Sequence, residues 1–293
     1  MQYVDAGMTG DIAFLGPSGT YCDTAARRFA ERIGNPNASL VPCSSFGRVF
    51  DAVEEGRVEY GVVALENSIE GPVTATLDSF AERSNAAMLG EVVLDIHHCL
   101  ALHPDATIGD VREIASHPQA LAQCRAYLDE HFPAIRTRAV ASTAEAAQMA
   151  ASDRAIAAIA NEQAAAIAGA VIAERDIEDH RGDQTNFALI ARADHAPAFP
   201  DEGPMKTSLA LYLRSDRPGA LQMILSEFAY GGINLTKIQS RPTKRRLGEY
   251  MFFIDLEGSV EDEAVRTALD CLRLKLRKVK VLGCYPAAPR VER

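Results

Sequence analysis

The chain has 293 residues, is 47% apolar and 24% charged, and carries a net charge of −10. That is enough apolar material for a sizeable core, which excludes a largely disordered chain, and a globally acidic chain is a poor ligand for phosphate backbones, so no nucleic-acid partner is expected. No apolar run approaches the roughly 20 residues that span a bilayer, and the N-terminus lacks a basic segment ahead of a long apolar core, so no membrane is expected and the cytoplasm is the expected compartment.

The length predicts two domains, or one large domain with a small module. In chain order, residues 11–15 read as a strand and 24–32 as a helix; 60–65 as a strand, with a helix near 73–82; 92–102 as one long strand; 111–115 as a strand and 119–131 as a helix. Ser142 with Glu145 forms a capping box that opens an alanine-rich helix to about residue 151. Residues 155–160 read as a buried strand, 162–170 as a helix and 187–191 as a closing strand. Strands alternating with helices predict an α/β sheet covered on both faces. Pro197, Pro200 and Pro204 among small and polar residues mark a linker over 193–204. Beyond it, 207–213 alternates as a strand, and Pro218 opens a helix with Leu221, Ile224, Leu225 and Phe228 on one face. Gly231 and Gly232 end that helix, strands follow at 234–240 and 249–256, then a helix carrying Val265, Leu269, Leu272 and Leu276, and a strand at 278–284. This βαββαβ order is the ferredoxin-like arrangement.

None of the six cysteines forms a C-x-x-C pair, and they read as small buried residues. His97, His98 and Cys99 are adjacent, and neighbours on a strand point to opposite faces, so no metal site is expected there. The basic runs Lys244-Arg245-Arg246 and Arg273 to Lys280 read as solvated faces or a helix C-terminus.

Three polar motifs each follow a strand and open a helix: GPSGTYCDTAA at 16–26, ENSIEGPV at 66–73 and SHPQALAQC at 116–124. Strand C-terminal ends in an α/β sheet are where ligands bind, and helix N-termini there favour anions. DQTNFAL at 183–189 puts Thr185 at the entry to the last strand. There is no P-loop, no G-x-G-x-x-G and no G-x-S-x-G. Hydroxyls and amides with one carboxylate, Glu66, suit a small polyanion better than hydrolysis or hydride transfer.

GPSGTY, ENSIEGPV, SHPQALAQC and TNF, in this order, resemble the catalytic domain of prephenate dehydratase, and RPGALQMILSEFAYGGINLTKIQSRP resembles the ACT regulatory domain of the same family. The resemblance implies a two-subdomain, periplasmic-binding-protein-like α/β catalytic domain over 10–192 with its site in the cleft, and a ferredoxin-like ACT domain over 205–286. It implies a carbon–oxygen lyase of L-phenylalanine biosynthesis that turns prephenate into phenylpyruvate, carbon dioxide and water. It further implies feedback by L-phenylalanine, self-association through ACT domains as a dimer or tetramer, and neither metal nor organic cofactor. The alternatives are the related arogenate dehydratase and a non-catalytic sensor of small acids, which would need an output module that the sequence does not show.

The resemblance assigns Thr185, Glu66, Asn67, Gln123 and Ser116 to catalysis, with Thr185 donating a hydrogen bond to the leaving hydroxyl and Glu66 as acid or orienter. Thr20, Ser68, Gly71, His117, Gln119 and Phe187 would bind substrate; His117 is either a general acid or a helix-start residue before Pro118. Phenylalanine would meet Gly219, Ala220, Leu221 and Leu225, and Asn234, Leu235, Gln239, Ser240, Arg241 and Pro242 of a partner subunit. Three positions depart from the family's common pattern: Cys22 stands for Ser, Asn186 for Arg and Gln239 for Glu. Asn186 then lacks a cation for a substrate carboxylate, and Gln239 lacks a charge for the ligand ammonium.

Overall fold

The computed structural model describes residues 10–194, 203–244 and 249–288; most of the expected linker and the turn containing Arg245 and Arg246 lie outside them. The chain opens with β1 (Ile12–Leu15) and α1 (Tyr21–Arg32). Thr20 caps α1 by accepting the Asp23 N–H, so the helix starts three residues before the expected position. Next come β2 (Leu40–Cys43) and α2 (Phe46–Glu54), capped by Ser45, neither foreseen from the sequence. Then follow β3 (Tyr60–Asn67), β4 (Gly71–Pro72), α3 (Thr74–Glu82) and β5 (Ala87–Asp95).

The chain then enters a second lobe: β6 (Cys99–Leu102), β7 (Glu113–Ser116), α4 (Pro118–Gln123), α5 (Arg125–His131), β8 (Arg136–Ala139), α6 (Thr143–Ser152), β9 (Ile156–Ala160), α7 (Glu162–Ala168) and β10 (Val171–Glu174). It returns to the first lobe through β11 (Gln184–Ala191). The remaining elements are β12 (Met205–Tyr212), α8 (Ala220–Tyr230), β13 (Leu235–Pro242), β14 (Tyr250–Glu257), α9 (Glu263–Lys275) and β15 (Lys278–Pro286), the expected βαββαβ order.

Two expectations need correction. The single strand over 92–102 is two strands in different sheets, broken at residues 96–98. Backbone groups there leave the ladder: the Tyr21 hydroxyl donates to the His97 carbonyl and accepts its N–H, and the His98 N–H donates to Glu178. The helix over 119–131 is likewise two helices, and the first N–H groups of α5 donate to the Asp179 carboxylate. Of the expected Ser142 box, the cap is present, Ser142 accepting from Glu145 N–H, but the Glu145 carboxylate accepts from Ala141 N–H, one residue before the cap, rather than from Ser142.

The second lobe is a five-stranded sheet, β10-β6-β9-β7-β8. The first lobe and the C-terminal domain share one ten-stranded sheet, β13-β14-β12-β15-β5-β11-β3-β1-β2, with β4 on β3. The joint is narrow, a parallel pairing of Gly283 with Met88. The C-terminal sheet packs one face against its own α8 and α9. Its other face supplies Tyr212, Met251, Phe253 and Tyr285 to a core shared with Val63, Leu65, Ala188 and Ile190 of the first lobe. No helix among the described residues is long and apolar enough to cross a membrane.

A Cβ on Gly283 would lie 2.3 Å from the Met88 carbonyl oxygen. Backbone cannot yield as a flexible side chain does, so Gly283→Ala is expected to cost about 1–3 kcal/mol. Urea unfolding of the two proteins measures it.

Candidate active site

A cavity of about 260 Å³ lies between the lobes. Three helix starts meet on it: Thr20, Tyr21 and Cys22 of α1 from the first lobe, and His117, Gln119 and Ala120 of α4 and Ala141, Ser142 and Thr143 of α6 from the second. Unpaired N–H groups and helix dipoles make such ends favourable to anions. Among the described residues, neither lysine nor arginine lines the cavity.

The floor is a cross-strand pair, with Asn67 on β3 opposite Thr185 on β11. The ladder is irregular here: Asn186 pairs with Glu66 and Phe187 with Ala64, so Leu65 is an extra residue on β3. Leu65 and Val63 both face the shared core, and the bulge then turns Glu66 to that side as well and Asn67 into the cleft.

Asp183, two residues before Thr185, organises the pair. Its carboxylate accepts from Asn67 Nδ2 at 2.7 Å, Ser68 Oγ at 2.9 Å and Gln123 Nε2 at 3.2 Å. Asn67 Oδ1 accepts the Ile69 and Glu70 N–H groups, which fixes its amide orientation. Asn67 Nδ2 also donates to Thr185 Oγ1 at 3.0 Å, so the threonine oxygen accepts and its own proton is available to a ligand. Gln123 Oε1 faces His98 Nε2 at 2.8 Å, which places a proton on that nitrogen and leaves the buried Nδ1 without a partner among the described residues. The sequence reading missed Asp183 and His98. Asp183 was within reach, because residues two apart on a strand share a face.

Thr185, Asn67, Gln123, Thr20, His117 and Gln119 therefore line one cavity. The Thr20 hydroxyl donates to the Leu15 and Pro17 carbonyls and accepts from Asp23, which gives it a local structural use. His117 caps α4, its Nδ1 accepting from the Gln119 N–H. Ser68 reaches the cluster through Asp183.

Four expected site residues lie elsewhere. Glu66 is turned away by the bulge and pairs with Lys237 of the C-terminal domain at 2.6 Å. Ser116 is fully buried and donates to the Ile159 carbonyl at 2.6 Å. Phe187 is in the first-lobe core. Gly71 forms β4, where its φ of +80° suits glycine, and is outside the cavity lining. Asn186 also faces away from the cleft and donates to Glu91 at 3.0 Å, so a cation at this position would not meet a substrate carboxylate.

The two segments connecting the lobes are tied together beside the cleft. His97 Nδ1 on one lies 3.0 Å from Glu178 and 3.2 Å from Asp176 on the other. These three side chains are close enough to share an ion, yet His97 and Glu178 already hydrogen-bond each other. His98 points instead into the cleft; the two histidines lie in the break between β5 and β6, not on the strand expected for them. Burial pushes the Cys22 thiol up to about 12 and the Tyr21 phenol well above its ordinary range.

In the C-terminal domain, Gly219 caps α8 with φ +83°, followed by Ala220, Leu221 and Leu225. Gln239 and Arg241 lie on the half-buried face of β13. Arg241 is already engaged, donating to Asp78 of the first lobe at 2.6 Å.

Comparison with known proteins agrees with this architecture. The prephenate dehydratase family model matches residues 12–195 and the ACT domain model residues 207–270. The bifunctional chorismate mutase/prephenate dehydratase of Aquifex aeolicus is 42% identical over 94% of this chain and 74% of its own length. The crystal structure of prephenate dehydratase from Arthrobacter aurescens in complex with L-phenylalanine superposes with a TM-score of 0.85 at 35% identity, covering 94% of this chain and 90% of that one. A structure described as a novel type of quorum-quenching acylase, GqqA, gives a TM-score of 0.81 at 31% identity over 95% and 98% of the two chains. The match across the catalytic domain and the regulatory module behind it shows that the chain belongs to the prephenate dehydratase family.

Proposed function

We propose that the cleft performs the family's reaction, converting prephenate to phenylpyruvate, carbon dioxide and water, with Thr185, Asn67, Asp183 and Gln123 as its working groups. The observation that carries this is the Thr185 hydroxyl, which accepts from Asn67 and keeps its own proton for a ligand. Prephenate is a dianion, and its carboxylates fit the converging starts of α1, α4 and α6. The electron pair of the ring carbon–carboxylate bond moves into the ring, the C4–oxygen bond breaks, and the departing oxygen takes one proton from solvent and leaves as water. A threonine hydroxyl is too weak an acid to ionise at neutral pH, so Thr185 acts as a hydrogen-bond donor to that oxygen, where charge grows in the transition state. Acyl transfer of the kind named for GqqA needs an activated nucleophile, and burial drives the Cys22 thiol in the opposite direction.

L-Phenylalanine is the effector in this reading, held by the start of α8 in one copy and β13 of another. β13 is the outer strand of its sheet, an edge that a second copy can pair with, so we read the chain as self-associating through its C-terminal domain. The compartment is the cytoplasm.

Thr185→Ala should lower kcat for prephenate by about 10²–10³ with the fold intact, the usual loss for one transition-state donor. Phenylpyruvate absorbance in alkali reads it, and arogenate assayed beside prephenate decides the substrate. Asp183→Asn sets an amide donor against Asn67, Ser68 and Gln123 and should cost about 1–3 kcal/mol of stability in urea unfolding, with loss of turnover. Light scattering at micromolar concentration should show a dimer or larger species.

A further inference from the structure

The bulge in β3 gives the catalytic pair a second pair behind it. Asn67 and Thr185 face the cleft, while Glu66 and Asn186, also opposite each other, face the C-terminal domain. Glu66 is met from there directly, and Asn186 through Glu91 of the first lobe. Lys237 on β13 pairs with Glu66 at 2.6 Å. Lys206 on β12 pairs with Glu91 at 2.9 Å, and Glu91 accepts from Asn186 at 3.0 Å. The Lys206–Glu91 pair is nearly dry, with side-chain exposures of 15% and 5%. Asn186 Oδ1 is buried and has no partner among the described residues, so its amide is held through the Glu91 contact.

We propose that Lys237 and Lys206 are positioning residues, through which phenylalanine binding to the C-terminal domain changes the alignment of Asn67 with Thr185. This rests on the function proposed above. Lys237 sits in the middle of the strand expected to carry effector contacts on both sides, at Leu235 and Gln239. A ligand that displaces β13 must move Lys237 or break its bond to Glu66. Glu66 is joined to Asn67 through one planar peptide, as Asn186 is to Thr185, so a shift at either back-face residue is passed to its catalytic neighbour. Two lysines thus grip the two halves of the pair separately and can move one relative to the other. An effector shifts the cleft only if its affinity differs between the two arrangements, and breaking or keeping these ion pairs supplies that difference.

The test uses full-length protein, with phenylalanine binding measured by calorimetry and turnover measured with and without saturating phenylalanine. Lys237→Met should fold and bind phenylalanine while losing most of a coupling that typically spans about 5–150-fold. Lys237→Gln repeats the measurement should the methionine variant not fold. Lys237→Arg should retain inhibition, and the exchanged pair Glu66→Lys with Lys237→Glu should regain part of it, neither of which follows from a merely structural role. Full inhibition of Lys237→Met or Lys237→Gln by bound phenylalanine overturns the proposal. So does parent protein that dehydrates prephenate and binds phenylalanine without inhibition, a result that leaves the catalytic reading standing. Parent protein without prephenate turnover overturns that reading and the relay with it.

Discussion

The cleft depends on one acceptor-only group. The Asp183 carboxylate takes hydrogen bonds from Asn67 and Ser68 of the first lobe and Gln123 of the second while sitting on the segment that joins them. An ionised carboxylate has no proton to give, so each partner must present a donor. That requirement orients the Gln123 amide, whose oxygen then faces His98, and it leaves the second Asn67 N–H for Thr185. Such charge-assisted bonds are about twice as strong as neutral ones. The position of the threonine proton is therefore set by a residue two places earlier in the same strand entry, and by contacts from both lobes.

The C-terminal domain was legible in its element order because its signals are dense and local: an alternating strand, a helix with apolar residues on one face, two glycines, then two strands, a second amphipathic helix and a last strand; the first helix starts at Ala220 rather than Pro218, and Leu221 is exposed. The catalytic domain was legible in class and in its motifs, and less so in its joints. The break at residues 96–98 depends on Tyr21 and Glu178, 76 and 80 positions away. Ser116 reads as a site residue because it ends a strand, yet its hydroxyl turns to the neighbouring β9. Glu66 is the most instructive case. With Val63 and Leu65 facing the core, strict alternation sends Glu66 into the cleft and Asn67 away from it. The extra residue at Leu65 inverts both, and it becomes visible only when β3 is paired with β11.

Among the described residues, the cleft lining meets an anion with dipoles, imidazoles and amides rather than with lysine or arginine. For a decarboxylation this has a kinetic consequence. The departing carboxylate loses its charge on the way to carbon dioxide, so a fixed cation upon it would stabilise the ground state more than the transition state and raise the barrier. Helix starts, each worth about half an elementary charge, hold such a group more loosely, while a donor such as Thr185 acts where negative charge grows.

The departure at Asn186 acquires a different meaning from this geometry. An arginine there would lie on the back face, beside Glu91 and near Asp255, with Lys206 bridging the two carboxylates at 2.9 and 3.9 Å. Burial pushes the Asp255 carboxyl up, against the downward pulls of Lys206, the Ser208 hydroxyl and Lys237. Asn186 therefore alters the junction between the domains and leaves the substrate's carboxylates untouched. The bulge makes that separation possible: one extra residue divides β3 and β11 into a pair for chemistry and, one residue away, a pair for the domain behind it.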